Sequence, residues 1–149
     1  MADSEGKDKA ASPNVDILID GEEASDDHFQ SYVVDRDMFQ PDMASIGLFN
    51  QNDVWSAEQI GAPVEIKVGE AGESIYKGEI VGLEPVYQGG EKSRILIRAM
   101  NKLHRLLRNR KSVTFTGKND KEILHEVITN SGAQLTLDFK HETDRKSVV

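Results

Sequence analysis

"VEIKVGEAGESIYKGEIVGLEPVYQGGEKSRILIRAM", residues 64–100, decides the fold class. In its first five residues Val64, Ile66 and Val68 alternate with Glu65 and Lys67, the pattern of a strand with one dry face and one wet face. SIYKGEIVGLEPVY (74–87) continues as one long, bent strand, with Gly78 and Gly82 as places for a bulge or a close approach. Gly89-Gly90 turns the chain, and RILIRAM (94–100) returns with Ile95, Ile97 and Ala99 on one face and Arg94, Leu96 and Arg98 on the other. Strands at such short spacing predict a barrel or a sandwich.

The same pattern extends upstream. Val15, Ile17 and Ile19 alternate with Asp16, Leu18 and Asp20, and Asp20-Gly21 then marks a tight turn. Further strands are expected around 31–35 (SYVVD) and 44–49 (ASIGLF). NQNDVWSAEQIGAP (50–63) is turn-rich, with one short helical or irregular piece. Residues 1–14 are small and polar and read as a disordered tail, which leaves 15–149 as one domain.

Downstream the period changes. In 101–109, Leu103, Leu106 and Leu107 stand at i, i+3 and i+4, an apolar stripe with Arg105 and Arg108 opposite. A second helix is predicted from Asp120 to Ser131. Asn119 would be its N-cap, Glu122 would complete a capping box, and Gly132 stands at the C-terminal cap. Ile123, Leu124, Val127 and Ile128 share its apolar face, and LTLDF (135–139) reads as a last strand. The expected fold is mainly β, a β-barrel with two short α-helices in the second half.

Composition narrows the function classes. The chain of 149 residues has no cysteine, which excludes disulfides and thiolate chemistry. No apolar stretch approaches the roughly 18–20 residues of a membrane-spanning helix, and the N-terminus lacks the apolar region of a signal peptide. These features are compatible with synthesis in the cytoplasm without a signal peptide.

Motifs for catalysis and metal binding are incomplete. His125-Glu126-Val127-Ile128-Thr129 begins like a zincin helix, but Thr129 stands where the second histidine must be. Gly117-Lys118 lacks the rest of a P-loop, since position 112 is Ser and Asn119 replaces the magnesium-binding hydroxyl. His28, His104, His125 and His141 have no ligand spacing and read as surface or half-buried side chains. Asp35, Asp37 and Asp42 lack the EF-hand spacing and read as a solvated acidic loop. No nucleophile elbow is present. The expectation is a protein that is not an enzyme, with no catalytic, cofactor or metal residues.

Charge is the informative remainder. The net charge is −8, yet residues 1–60 carry −11 and residues 91–118 carry +8. The basic run holds Arg94, Arg98, Lys102, Arg105, Arg108, Arg110 and Lys111. Three readings compete for it. One is a solvated helix face with cations near the helix C-terminus. Another is contact with acidic residues of a neighbouring subunit. Nucleic acid ranks last, because the chain is acidic overall and no aromatic residue lies between Arg94 and Thr114. These seven residues are the candidate subunit interface. Leu103, Leu106 and Leu107 are expected to anchor the first helix, while the cations project from its other side.

The order of several stretches carries a resemblance. "DRDMFQPDMASIGLFNQ" (35–51), "IGAPVEIKVGE" (60–70), "YKGEIVGLEP" (76–85) and "RAMNKLHRLLRNRKSVTFTGKNDKEILHEVITNSG" (98–132) resemble the early part of phage late control protein D. They are also similar to the VgrG-like spike proteins of type VI secretion and extracellular contractile injection systems. The resemblance covers about 15–149 and rests on the order and spacing of the stretches. It implies a structural, tube-protein-like hub domain of a baseplate hub or spike subunit, a homotrimer that adapts the inner tube to the spike tip. Its partners would be the tube protein and spike-tip or baseplate proteins, in a phage tail or tail-like particle. Members of that family are several times longer, so the chain is expected to be truncated relative to them. The alternative from a different class is a stand-alone β-barrel, similar to an oligosaccharide-binding fold, that takes nucleic acid or a small ligand through the 102–111 patch.

Overall fold

A computed structural model describes residues 14–87, 93–108 and 110–138. All but Asn14 of the tail expected at 1–14, the Gly89-Gly90 turn and His141 lie outside the described residues. The chain is mainly β. Its strands are β1 (Val15–Ile19), β2 (Glu22–Glu23), β3 (Phe29–Asp35), β4 (Met43–Phe49), β5 (Pro63–Val68), β6 (Glu73–Val86) and β7 (Arg94–Met100). The helices are α1 (His104–Leu107) and α2 (Asp120–Ser131). The strands form one antiparallel sheet in the order β2-β1-β5-β6-β7-β4-β3, curled into a half-barrel.

Local chemistry sets the turns. Asp20 and Gly21 both take positive φ, 50° and 87°, and place Ile19 opposite Glu22, the geometry of a two-residue hairpin. The turn-rich stretch after β4 forms a 3₁₀ segment, Gln51–Ala57, broken by left-handed Asn52 and Asp53. Buried Asn50 organises it: its Oδ1 accepts the Trp55 N–H at 2.9 Å, and its Nδ2 donates to Ser56 Oγ at 2.7 Å.

The curl comes from β6, a 14-residue strand that changes partners along its length. Its first half pairs with β5, from Val68↔Glu73 to Pro63↔Glu79. Its second half pairs with β7, from Glu79↔Met100 to Val86↔Arg94, with a bulge between Ile80 and Gly82. Such a bulge bends and twists the strand. Gly78 lies just before the corner, where a Cβ would stand 2.6 Å from the Met100 carbonyl. Both glycines therefore do what their positions in the strand pattern suggest.

The core is one face of this curl. Ile17, Ile19, Ile46, Leu48, Ile66, Ile80, Ile95 and Ile97 are at most 1% exposed. They meet across the ladders: Ile17 opposite Ile66, Ile46 opposite Ile97, Leu48 opposite Ile95. Burial of one such side chain stabilises the fold by about 1.5–3 kcal/mol. Trp55 closes one part of the core and meets the His28 ring edge-on at 5.9 Å.

The C-terminal third departs from expectation. The first helix is a single turn of helix preceded by a turn at Lys102 and Leu103. Leu103 is 39% and Leu107 66% exposed, whereas His104 is buried. The apolar stripe therefore does not anchor α1. Helix α2 spans the expected residues with both halves of its capping box made, yet none of its side chains is buried. Residues 135–138 form no strand; Gln134 at φ 52° breaks the extended backbone, and the segment packs by Ala133, Leu135 and Leu137.

Candidate functional site

Glu79 stands at the corner of the sheet, opposite both Pro63 and Met100. Alternation along β6 places it with Lys77, on the face away from Tyr76 and Ile80. That face would ordinarily be wet. Instead Glu79 is 4% exposed, because α1 covers it.

The covering groups are polar. Arg105 Nε donates to Glu79 Oε1 at 2.8 Å, and Arg105 Nη2 donates to Oε2, a two-pronged pair. Arg105 Nη1 reaches the Gly132 carbonyl at 3.5 Å, which ties the end of α2 to the same group. His104 lies beside the pair with Nε2 3.3 Å from Glu79 Oε1. Its Nδ1 is 2.8 Å from the Asn101 carbonyl, which can only accept, so Nδ1 carries the proton. Nε2 is then an acceptor and receives the Arg108 Nη2 donor at 2.7 Å.

The electrostatics follow from these contacts. The Arg105 hydrogen bonds hold the Glu79 carboxyl below its ordinary range, against burial, which acts to raise it. The charges of Arg105 and Arg108 add in the same direction. The hydrogen bond to Glu79 in turn raises Arg105. On the core side of the corner, burial pushes the Tyr76 hydroxyl up, and its oxygen has no hydrogen-bond partner among the described residues.

The seven cations of the basic run thus separate. Arg105 does not project outward; it is committed to Glu79 inside the chain, which corrects the expectation from the leucine spacing. Arg94 is half-buried with its guanidinium 5.9 Å from the centre of the Phe49 ring. Arg98 pairs with Glu84 at 3.0 Å on the surface. Lys102, Arg108, Arg110 and Lys111 are exposed, Arg108 with one nitrogen on His104. What the structure brings together is therefore Glu79, His104, Arg105 and Arg108. Glu79 carried no signal in the sequence, because its strand pattern places it on the polar face. His104, expected at the surface or half-buried, is 7% exposed.

Other features of the surface are plain. Among the described residues no group of three His, Cys, Asp or Glu is placed to hold a metal ion, and no helix is long and apolar enough to cross a membrane. A groove of about 500 Å³ runs between α1 and α2, with Leu106, Val113, Phe115 and Val127 among its walls.

The chain is similar in fold to phage tail proteins. A 43 kDa tail protein of prophage MuSo2 from Shewanella oneidensis matches 81% of this chain with a TM-score of 0.57 and 16% identity. A tail protein from Neisseria meningitidis MC58 matches 80% of it with a TM-score of 0.60 and 14% identity. The matches span 39% and 34% of those two chains, so this chain corresponds to little more than a third of each. No family model and no curated protein sequence matches it.

Proposed function

We propose that this chain is a structural hub component of a phage tail or related contractile injection particle, joining inner tube to spike as part of a homotrimer. The observation that supports the reading best is the curled seven-stranded sheet, which follows the fold of two tail proteins over four-fifths of the chain. The order of the stretches in 35–132 points the same way. The sheet also has two edges, β2 and the seven-residue β3, and an open edge presents unpaired backbone groups that a neighbouring subunit can cover. Charge supports an assembly too, since the acidic section 1–60 and the exposed cations at 102–111 are complementary.

Co-expression with a tube protein and a spike-tip protein, followed by native mass spectrometry, tests the reading. Three copies retained on the tube or spike partner is the expected result. A chain that binds neither partner overturns it.

The exposure of Lys102, Arg108, Arg110 and Lys111 favours the patch as a binding surface in its own right, which keeps nucleic acid as the second reading. Fluorescence anisotropy with a labelled single-stranded oligonucleotide at low salt separates the two. Affinity that falls steeply with salt, and falls further in Arg108→Glu, favours nucleic acid. No change in anisotropy at low salt disposes of it.

A further inference from the structure

The connection between β3 and β4, residues 36–42, presents two apolar side chains that touch almost nothing. Met38 and Phe39 are each 89% exposed. The loop is nonetheless tied down. Asp37 Oδ1 accepts the Phe39 N–H at 2.7 Å, Arg36 donates to the Ile75 carbonyl, and the Asp42 carbonyl accepts the Asn101 N–H at 3.0 Å. Exposed Asp35 and Asp37 make an acidic collar around the tip. A pair of large apolar side chains on a tethered loop with a charged rim has the make-up of an interface anchor.

A surface of the opposite character lies between α1 and α2. Its floor is Leu106, Val113, Phe115 and Val127, and its rim carries Arg105 and Lys111. Val113 is 60% and Val127 41% exposed, and α2 buries none of its side chains. Tip and groove thus match in both senses, apolar against apolar and acidic collar against basic rim. Within one copy they do not meet, since Met38 and Phe39 stay exposed.

We propose that the 36–42 loop of one copy inserts Met38 and Phe39 into the α1–α2 groove of the next copy, head to tail. This deepens the oligomer reading above and rests on it. The contact is heterologous, so repetition gives a closed ring or a filament. Lys111 is the rim charge open to Asp37, because Arg105 is already held by Glu79.

The chain has no cysteine, so the contact can be trapped cleanly. Phe39→Cys and Val127→Cys proteins are mixed, oxidised mildly and mapped by peptide mass spectrometry. Links between residue 39 of one copy and residue 127 of another should outnumber both like-with-like links. In sedimentation equilibrium Phe39→Asp should weaken self-association by about tenfold or more. Lys111→Glu should weaken it too, and Asp37→Lys in the same chain should restore it, with circular dichroism confirming that each variant is folded. A wild-type chain that stays monomeric at every concentration, or like-with-like links that equal the mixed ones, overturns the proposal. A chain carrying both cysteines separates this contact from the hub reading. Mixed links that close at three copies support both, whereas an open ladder keeps the contact and removes the trimer.

Discussion

The sheet and the helical segment after it are held by different forces. In the sheet, eight large aliphatic side chains at most 1% exposed meet across antiparallel ladders. In the helical segment, α2 buries no side chain, and α1 buries a histidine while leaving Leu103 and Leu107 in solvent. The first region is stabilised by apolar area, which is non-directional and spread over many contacts. The second is located by one carboxylate and the groups that surround it, which is directional and concentrated in a few atoms. A substitution in the sheet should therefore act on the whole fold. One in the Glu79 cluster should act first on how α1 and α2 sit against the corner.

The largest effect is expected at the centre of the sheet. Ile97→Ala removes a side chain packed opposite both Ile46 and Leu83 and should cost about 2–5 kcal/mol, read as one cooperative loss of stability in urea. Arg105→Ala comes next. Stranding a buried carboxylate costs about 3–5 kcal/mol, and the 27% exposure of the arginine side chain places this case near the lower end. Hydrogen exchange should rise in 101–107 and 120–133 while β4 and β7 stay protected. Equal loosening of β4 and β7 would erase the distinction between the two regions. Replacing both partners, Glu79→Leu with Arg105→Met, should recover most of the stability, because a paired apolar substitution leaves no buried charge.

Acid should probe the same pair more gently. The folded state holds Glu79 below its ordinary range, whereas the unfolded chain returns it to about 4.3. The folded state therefore binds fewer protons. The stabilisation is complete above that unfolded value and is lost as pH falls through the folded one. Stability of the wild type should drop more steeply below about pH 4.3 than that of the Glu79→Leu, Arg105→Met protein. Parallel curves would show that other carboxylates set the acid limit. The smallest effect is expected at the start of α2, where Asn119→Ala removes the bond to the Glu122 N–H and should cost about 1 kcal/mol. Exchange should increase in the first turn of α2 and leave the sheet unchanged.

The two regions also differ in how far they could be read in advance. The ends of α2 were legible because caps are local: Asn119, Glu122 and Gly132 lie within a turn of the groups they satisfy. The Asp20-Gly21 hairpin was legible for the same reason, as was the buried face of β7, where Ile95, Ile97 and Ala99 alternate with Arg94, Leu96 and Arg98. Leu103, Leu106 and Leu107 were misleading. Their spacing shows that they share a helix face, but it does not say whether that face meets the sheet. Glu79 was silent, since a carboxylate on the outer face of a strand looks solvated until a distant segment covers it. The segment 135–138 kept the alternation of a strand without joining a ladder.

Alternation and turn chemistry, read along the chain, determined an antiparallel sheet, most of its strands and the span of its longer helix, because those signals act between residues two to four apart. The tertiary structure alone decided that β6 would turn the corner between β5 and β7. It also decided that Glu79 at that corner would be buried, and that Arg105 would be drawn inward from the surface to meet it. Glu79 and Arg105 are 26 residues apart. A buried charge demands a partner through space, and no local pattern records which part of the chain will supply it.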